Sequence, residues 1–129
     1  MNPNQNGKPG ATGLTRIVNA TGYSIQGLKA AFKHEAAIRQ EMTLLLVAII
    51  ALVWLSLPMV ETVLMLASVV LVLIIELVNS AIEAVVDRVG TERHELSGRA
   101  KDIGSAAVLV ALTLAGFTWS YILYHQYLA

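Results

Sequence analysis

The chemically loaded part of this chain is a set of polar residues at helical spacing inside an apolar stretch. Glu76, Ser80, Glu83 and Asp87 share one helical face, with Asn79 close beside them. A carboxylate in hydrocarbon is costly, and such groups face a partner or a polar cavity. Glu76 precedes Glu83 by seven residues, which sets it about 10 Å deeper along a helix axis. One carboxylate is thus near the headgroups and the other well inside. The plain alternative is an interhelical hydrogen-bond cluster that glues helices together. Glu76, Glu83 and Asp87 together are more acid than glue requires.

Other polar groups are expected at the same height. Glu35 stands where one apolar segment leaves the interface, and Lys101 and Asp102 stand where another enters it. Topology then puts Glu35, Glu83, Asp87, Lys101 and Asp102 in one layer. Carboxylates with a lysine nearby can hold a hard divalent cation and the phosphates it bridges. Simpler readings stand beside this one: Glu35 and Arg39 as an i, i+4 surface pair, and Lys101 as a snorkelling side chain. Ala100, Gly104, Ala107 and Ala111 form a small-residue stripe that lets helices approach closely. His34, His94 and His125 lack metal-ligand spacing.

The elements that must position these groups are membrane-spanning helices. Hydrophobic residues make up 56% of the 129-residue chain and charged ones 14%, against about 25% charged in a soluble domain. The formal net charge is zero and there are no cysteines, so nucleic-acid binding, disulfides and thiolate metal sites are not indicated. Three spans are expected, at about 36–57, 63–86 and 103–123, each near the ~20 residues that cross the hydrocarbon. Pro58 marks a short turn between the first two, and the charged segment 87–102 reads as a loop. The spans form a domain over 34–129. Ahead of it, 14–33 reads as an amphipathic surface helix with Ile25, Leu28 and Phe32 on one face, broken or bent at Gly22. Residues 1–13, rich in Asn, Gly and Pro, read as a disordered tail.

The first long apolar run begins at Met42, too late for a cleaved signal peptide, so the spans themselves should direct insertion. All nine Lys and Arg residues lie ahead of the first span or at its very start (Arg39), or between the second and third. The positive-inside rule then puts the N-terminus in the cytoplasm and the C-terminus outside. Trp54, Trp119, Tyr121, Tyr124 and Tyr127 suit an aromatic belt at the far interface.

The chain carries no GxxxxGK[ST] loop and no soluble-kinase glycine-rich loop, HRD or DFG string. It does resemble a known family. EAAIRQE at 35–41, IIELVNSAIEAVVDRVG at 74–90 and HELSGRAKDIGSAAVL at 94–109 resemble the prokaryotic diacylglycerol kinases. TRIVNATGYSIQGLKAAFKHEAA at 15–37 is similar to their amphipathic N-terminal segment, so the likeness covers about 13–123.

That resemblance implies an all-α homotrimeric bundle in the bacterial inner membrane, with three spans and a surface helix in each subunit. It implies transfer of the γ-phosphate of ATP, with Mg²⁺, to the primary hydroxyl of diacylglycerol, giving phosphatidate. Glu76 matches the family's catalytic base and lipid contact, and Asn79 a polar residue beside the transferring phosphate. Glu35 and Glu83 match the metal-binding carboxylates, which contact ATP through the metal. Arg16, Tyr23, Lys101, Asp102 and the loop residues Glu92, Arg93 and His94 match nucleotide-site positions, and Ser105 a lipid contact. The competing readings are a kinase of the same family acting on a polyprenol such as undecaprenol, a proton-coupled transporter using Glu76, and a purely structural membrane protein.

Overall fold

The computed structural model describes residues 12–129 and is entirely helical there. The elements are α1 (Gly13–His34), α2 (Ala36–Leu55), α3 (Met59–Val89) and α4 (Glu95–Tyr127). The expected tail at 1–13 falls almost wholly outside the described residues.

α1 is a unit by itself and buries none of its own residues. It runs through Gly22 without a break, contrary to the sequence expectation. A single glycine costs a helix only about 1 kcal/mol relative to alanine, and its neighbours carry the turn. Thr21 and Ser24 donate their hydroxyls to the carbonyls of Ile17 and Ala20 at 2.9 and 3.0 Å.

The second unit, Glu35–Ala129, holds the three helices long and apolar enough to cross a membrane. α2 is 20 residues long, α3 31 and α4 33. At 1.5 Å per residue the last two reach about 45–50 Å, well beyond a ~30 Å hydrocarbon core. The charged segment expected as a loop at 87–102 is therefore mostly helix, with only 90–94 outside it. Charge ends an apolar span but does not end a helix. Arg99 pairs with Glu95 one turn away at 2.9 Å, which suits a helix continuing into water.

α2 ends sooner than expected. Ser56 takes a left-handed conformation (φ 48°, ψ 47°) and donates its N–H to Leu52 at 3.3 Å. Pro58 then opens α3, where a proline needs no amide partner. Thr62 closes that first turn, donating its hydroxyl to the Pro58 carbonyl at 3.0 Å.

α3 is the central helix: it packs on α2 and, more extensively, on α4. Ile38, Met65 and Val72 are fully buried, with Ala48, Leu52, Val69 and Ala111 around them. Of the two tryptophans expected in the far-side belt, Trp119 is partly buried and donates its indole N–H to the Met65 carbonyl at 3.0 Å, tying α4 to α3, and Trp54 is 87% exposed.

Candidate active site

The buried residues of α2 and α4 are apolar or glycine, whereas α3 buries Ser68, Glu76 and Asn79 as well. Ser68 is satisfied locally, donating to the Met65 carbonyl at 2.7 Å. Glu76 and Asn79 are different. They lie toward the Val89 end of the helix, at 8% and 7% exposure. Along the polar face read from the sequence, Glu76 and Asn79 are buried, Ser80 and Glu83 are half-buried, and Asp87 is exposed.

Asn79 donates its amide to Glu83 Oε1 at 3.1 Å, one turn further on. Its Oδ1 is buried without a hydrogen-bond partner among the described residues. It lies against Gly104 of α4, whose missing side chain provides the room. Glu41, Glu83 and Glu35 are near enough for their charges to reach Glu76. Two of the three come from α2 and its N-terminal boundary. Glu35 is the N-cap of α2, in extended conformation, and its carboxylate makes no capping bond. It therefore remains available for another role.

Glu41 was not singled out from the sequence. It follows Ile38 by three residues and precedes Ala48 and Leu52 on the same buried stripe of α2. Its Oε2 is also buried without a hydrogen-bond partner among the described residues. The helical spacing from Ile38 was the signal that could have found it.

The outer end of the site carries an ion pair. Lys101 of α4 donates to Asp87 Oδ1 of α3 at 2.7 Å. Asp102 and Ser105 are exposed, while Gly104 between them is buried. In sequence Asp102 adjoins Lys101, but the 100° step per residue turns it away from α3. Of the expected layer, Asp87 is linked to Lys101, and Glu83 is linked inward to Asn79. Asp102 and Ser105 lie on the outer face of the single chain. Glu92 and Arg93 are exposed in the short connection. His94 caps α4, its Nδ1 accepting the Leu96 N–H at 3.1 Å. Arg16 and Tyr23 are exposed on α1.

Among the described residues no three His, Asp or Glu side chains form a group able to hold a metal ion unaided. The acidic face is suited to share a cation with phosphates rather than to cage one.

Residues 22–123 match the family described as "Prokaryotic diacylglycerol kinase". The diacylglycerol kinase of Escherichia coli K12 is 54% identical over 116 residues, covering 90% of this chain and 95% of that protein. Those of Haemophilus influenzae and Pseudomonas aeruginosa are 55% and 56% identical. Each alignment covers 88% of this chain, with 96% and 93% of the relative.

Proposed function

From the premise that this chain belongs to the prokaryotic diacylglycerol kinase family and is an ATP-dependent diacylglycerol kinase, we propose that the acidic face of α3 is its active site. The observation that carries this reading is the buried Glu76, set among Glu41, Glu83 and Glu35. No packing role calls for four carboxylates at the inner end of a membrane bundle.

In this reading the primary hydroxyl of diacylglycerol attacks the γ-phosphorus of ATP. A bond forms from that oxygen to phosphorus. The bond from phosphorus to the β,γ-bridging oxygen breaks, and ADP departs with the electron pair. Glu76 accepts the hydroxyl proton, leaving phosphatidate and ADP. The lipid hydroxyl sits just beneath the headgroups while ATP is confined to water. A base about 10 Å deeper than the phosphate-side carboxylate Glu83 matches that separation.

Glu35 and Glu83 are the residues that would hold Mg²⁺. Two carboxylates fit that ion, which is usually bound by one or two of them together with substrate phosphates. When bound it neutralises charge on the phosphates. Asn79 holds Glu83 in place and stands beside the transferring phosphate. Arg16, Tyr23, Lys101, Asp102, Glu92, Arg93 and His94 serve the nucleotide, and Ser105 the lipid.

The enzyme sits in the bacterial inner membrane, N-terminus in the cytoplasm, with α1 lying in the interface plane. The one-sided Lys and Arg distribution supports that orientation. It works as a homotrimer. Both the self-association and the number three come from the resemblance. A trimer also gives the outward-facing Asp102 and Ser105 somewhere to act.

The test is activity against Mg²⁺ concentration for Glu35→Gln and Glu83→Gln. Each should raise the Mg²⁺ needed for half-maximal turnover while the helices stay inserted. Glu83→Gln with the parent Mg²⁺ profile refutes the metal assignment.

A further inference from the structure

We propose that Gly104 is a positioning residue for phosphoryl transfer: its missing side chain is the space in which the Asn79 carboxamide lies while its amide holds the Glu83 carboxylate. This rests on the reading above, in which Asn79 and Glu83 serve the phosphate side of the site.

The geometry is specific. A Cβ on Gly104 would overlap Asn79 Oδ1 and stand 3.1 Å from Asn79 Cγ. Asn79 is not a loose side-chain tip that can swing away. It is 7% exposed, and its nitrogen donates to Glu83 at 3.1 Å. The carboxamide is planar, so rotating Oδ1 clear of a new methyl group carries the nitrogen with it and gives up the bond to Glu83.

Parting the helices is the other way to make room, and the packing of α4 on α3, the most extensive in the bundle, resists it. That packing runs on both sides of Gly104, from Lys101 Nζ on Asp87 Oδ1 at 2.7 Å to the Trp119 indole on the Met65 carbonyl at 3.0 Å.

General close packing does not account for the glycine. A Cβ on Gly98 or Gly116, on the same helix, meets nothing within 4 Å. Alanine is also the better helix former, so Gly104→Ala ought to strengthen α4 wherever room exists. At Gly104 the room is taken first by Asn79: the three nearest atoms all belong to that side chain.

The test is a four-member cycle in the full-length, membrane-reconstituted protein: parent, Gly104→Ala, Asn79→Ala and the double variant. Turnover, KM for ATP and for diacylglycerol, the Mg²⁺ requirement and Tm are measured on each. In the parent background Gly104→Ala should lower kcat by about tenfold or more, raise the Mg²⁺ requirement, keep the lipid KM within about twofold, and lower Tm. In the Asn79→Ala background the same change should cost less than about twofold in kcat and leave Tm equal or higher, since the clash is gone.

Gly104→Ala with parent turnover overturns the proposal, as does an equal loss in both backgrounds. If Gly104→Ala fails to fold, a folded double variant supports the proposal and an unfolded one overturns it. Asn79→Ala with full turnover overturns the site reading and this inference with it. Impaired Asn79→Ala beside a normal Gly104→Ala overturns the inference alone.

Discussion

Replacing Glu76 by Gln preserves size and hydrogen-bonding capacity and removes only the ability to accept a proton. A positioned general base contributes about 10²–10⁴-fold, or roughly 3–5 kcal/mol of activation free energy. The structure sets where in that range the loss should fall. Glu76 is 8% exposed, so water is a poor substitute acceptor, which favours the upper part. Glu41 works the other way. It is a second carboxylate whose charge reaches Glu76, and its Oε2 is buried with no hydrogen-bond partner among the described residues. In this reading it takes over part of the task. We therefore expect turnover to fall about 10³-fold in Glu76→Gln and further in Glu76→Gln/Glu41→Gln, while Glu41→Gln alone costs less than about tenfold. Stability should hold or rise, because a neutral amide is easier to bury than a carboxylate and one of four neighbouring negative charges is gone. The assay is steady-state phosphatidate formation at saturating ATP and diacylglycerol, with nucleotide affinity and Tm on the same preparation. Near-parent turnover in Glu76→Gln refutes the base assignment. Lost ATP binding in a folded variant moves Glu76 into the nucleotide site instead.

Lys101→Met should raise the KM for ATP by about tenfold, the cost of one charge-assisted phosphate contact. It should change stability by no more than about 0.5 kcal/mol, because its pair with Asp87 is 42% and 62% exposed; an unchanged KM takes Lys101 out of the nucleotide site. Single cysteines at Gly7 and Gln126 should be labelled from opposite sides of sealed vesicles, and labelling of both from one side refutes the orientation. Native mass spectrometry should give a trimer; an active, stable monomer would remove that assignment.

Much of the fold was legible because apolar length has few interpretations. A run near ~20 residues without charge can do little but span a bilayer. What the sequence hid lies at the ends of elements. Charges at Asp87 and Arg88 end the apolar stretch, yet α3 continues to Val89 because a helix in water needs no apolar surface. α2 stops at Leu55 because Ser56 turns left-handed there, which its residue type does not announce. In the site, Glu76 and Asn79 were legible because an acidic group amid Val, Leu and Ile has no bland explanation. Glu41 was obscured by its position: one residue ahead of the long apolar run at Met42, it resembles an ordinary boundary charge. Only the buried stripe from Ile38 to Leu52 reveals it as part of the interior. Asp102 enters the interface at the height of Lys101, and a single helical step is what turns it to the outer face of the chain.

The place of the site follows from the arrangement of the helices. A polar face can survive in hydrocarbon only where it is covered from both sides, and α3 is the helix packed by both of the others. Polar groups on α3 are affordable along its length, as Ser68 shows by satisfying itself on its own backbone. Among the described residues the buried side-chain acceptors without a partner are Asn79 Oδ1 on α3 and Glu41 Oε2 on α2. A buried acceptor without a partner costs about 1–3 kcal/mol, and both of these fall in the neighbourhood of the proposed base Glu76. Interior placement keeps competing water away from the base, and proximity to the interface lets phosphate reach it. Those two requirements conflict everywhere else along a spanning helix, and the seven-residue step from Glu76 to Glu83 is short enough to satisfy both.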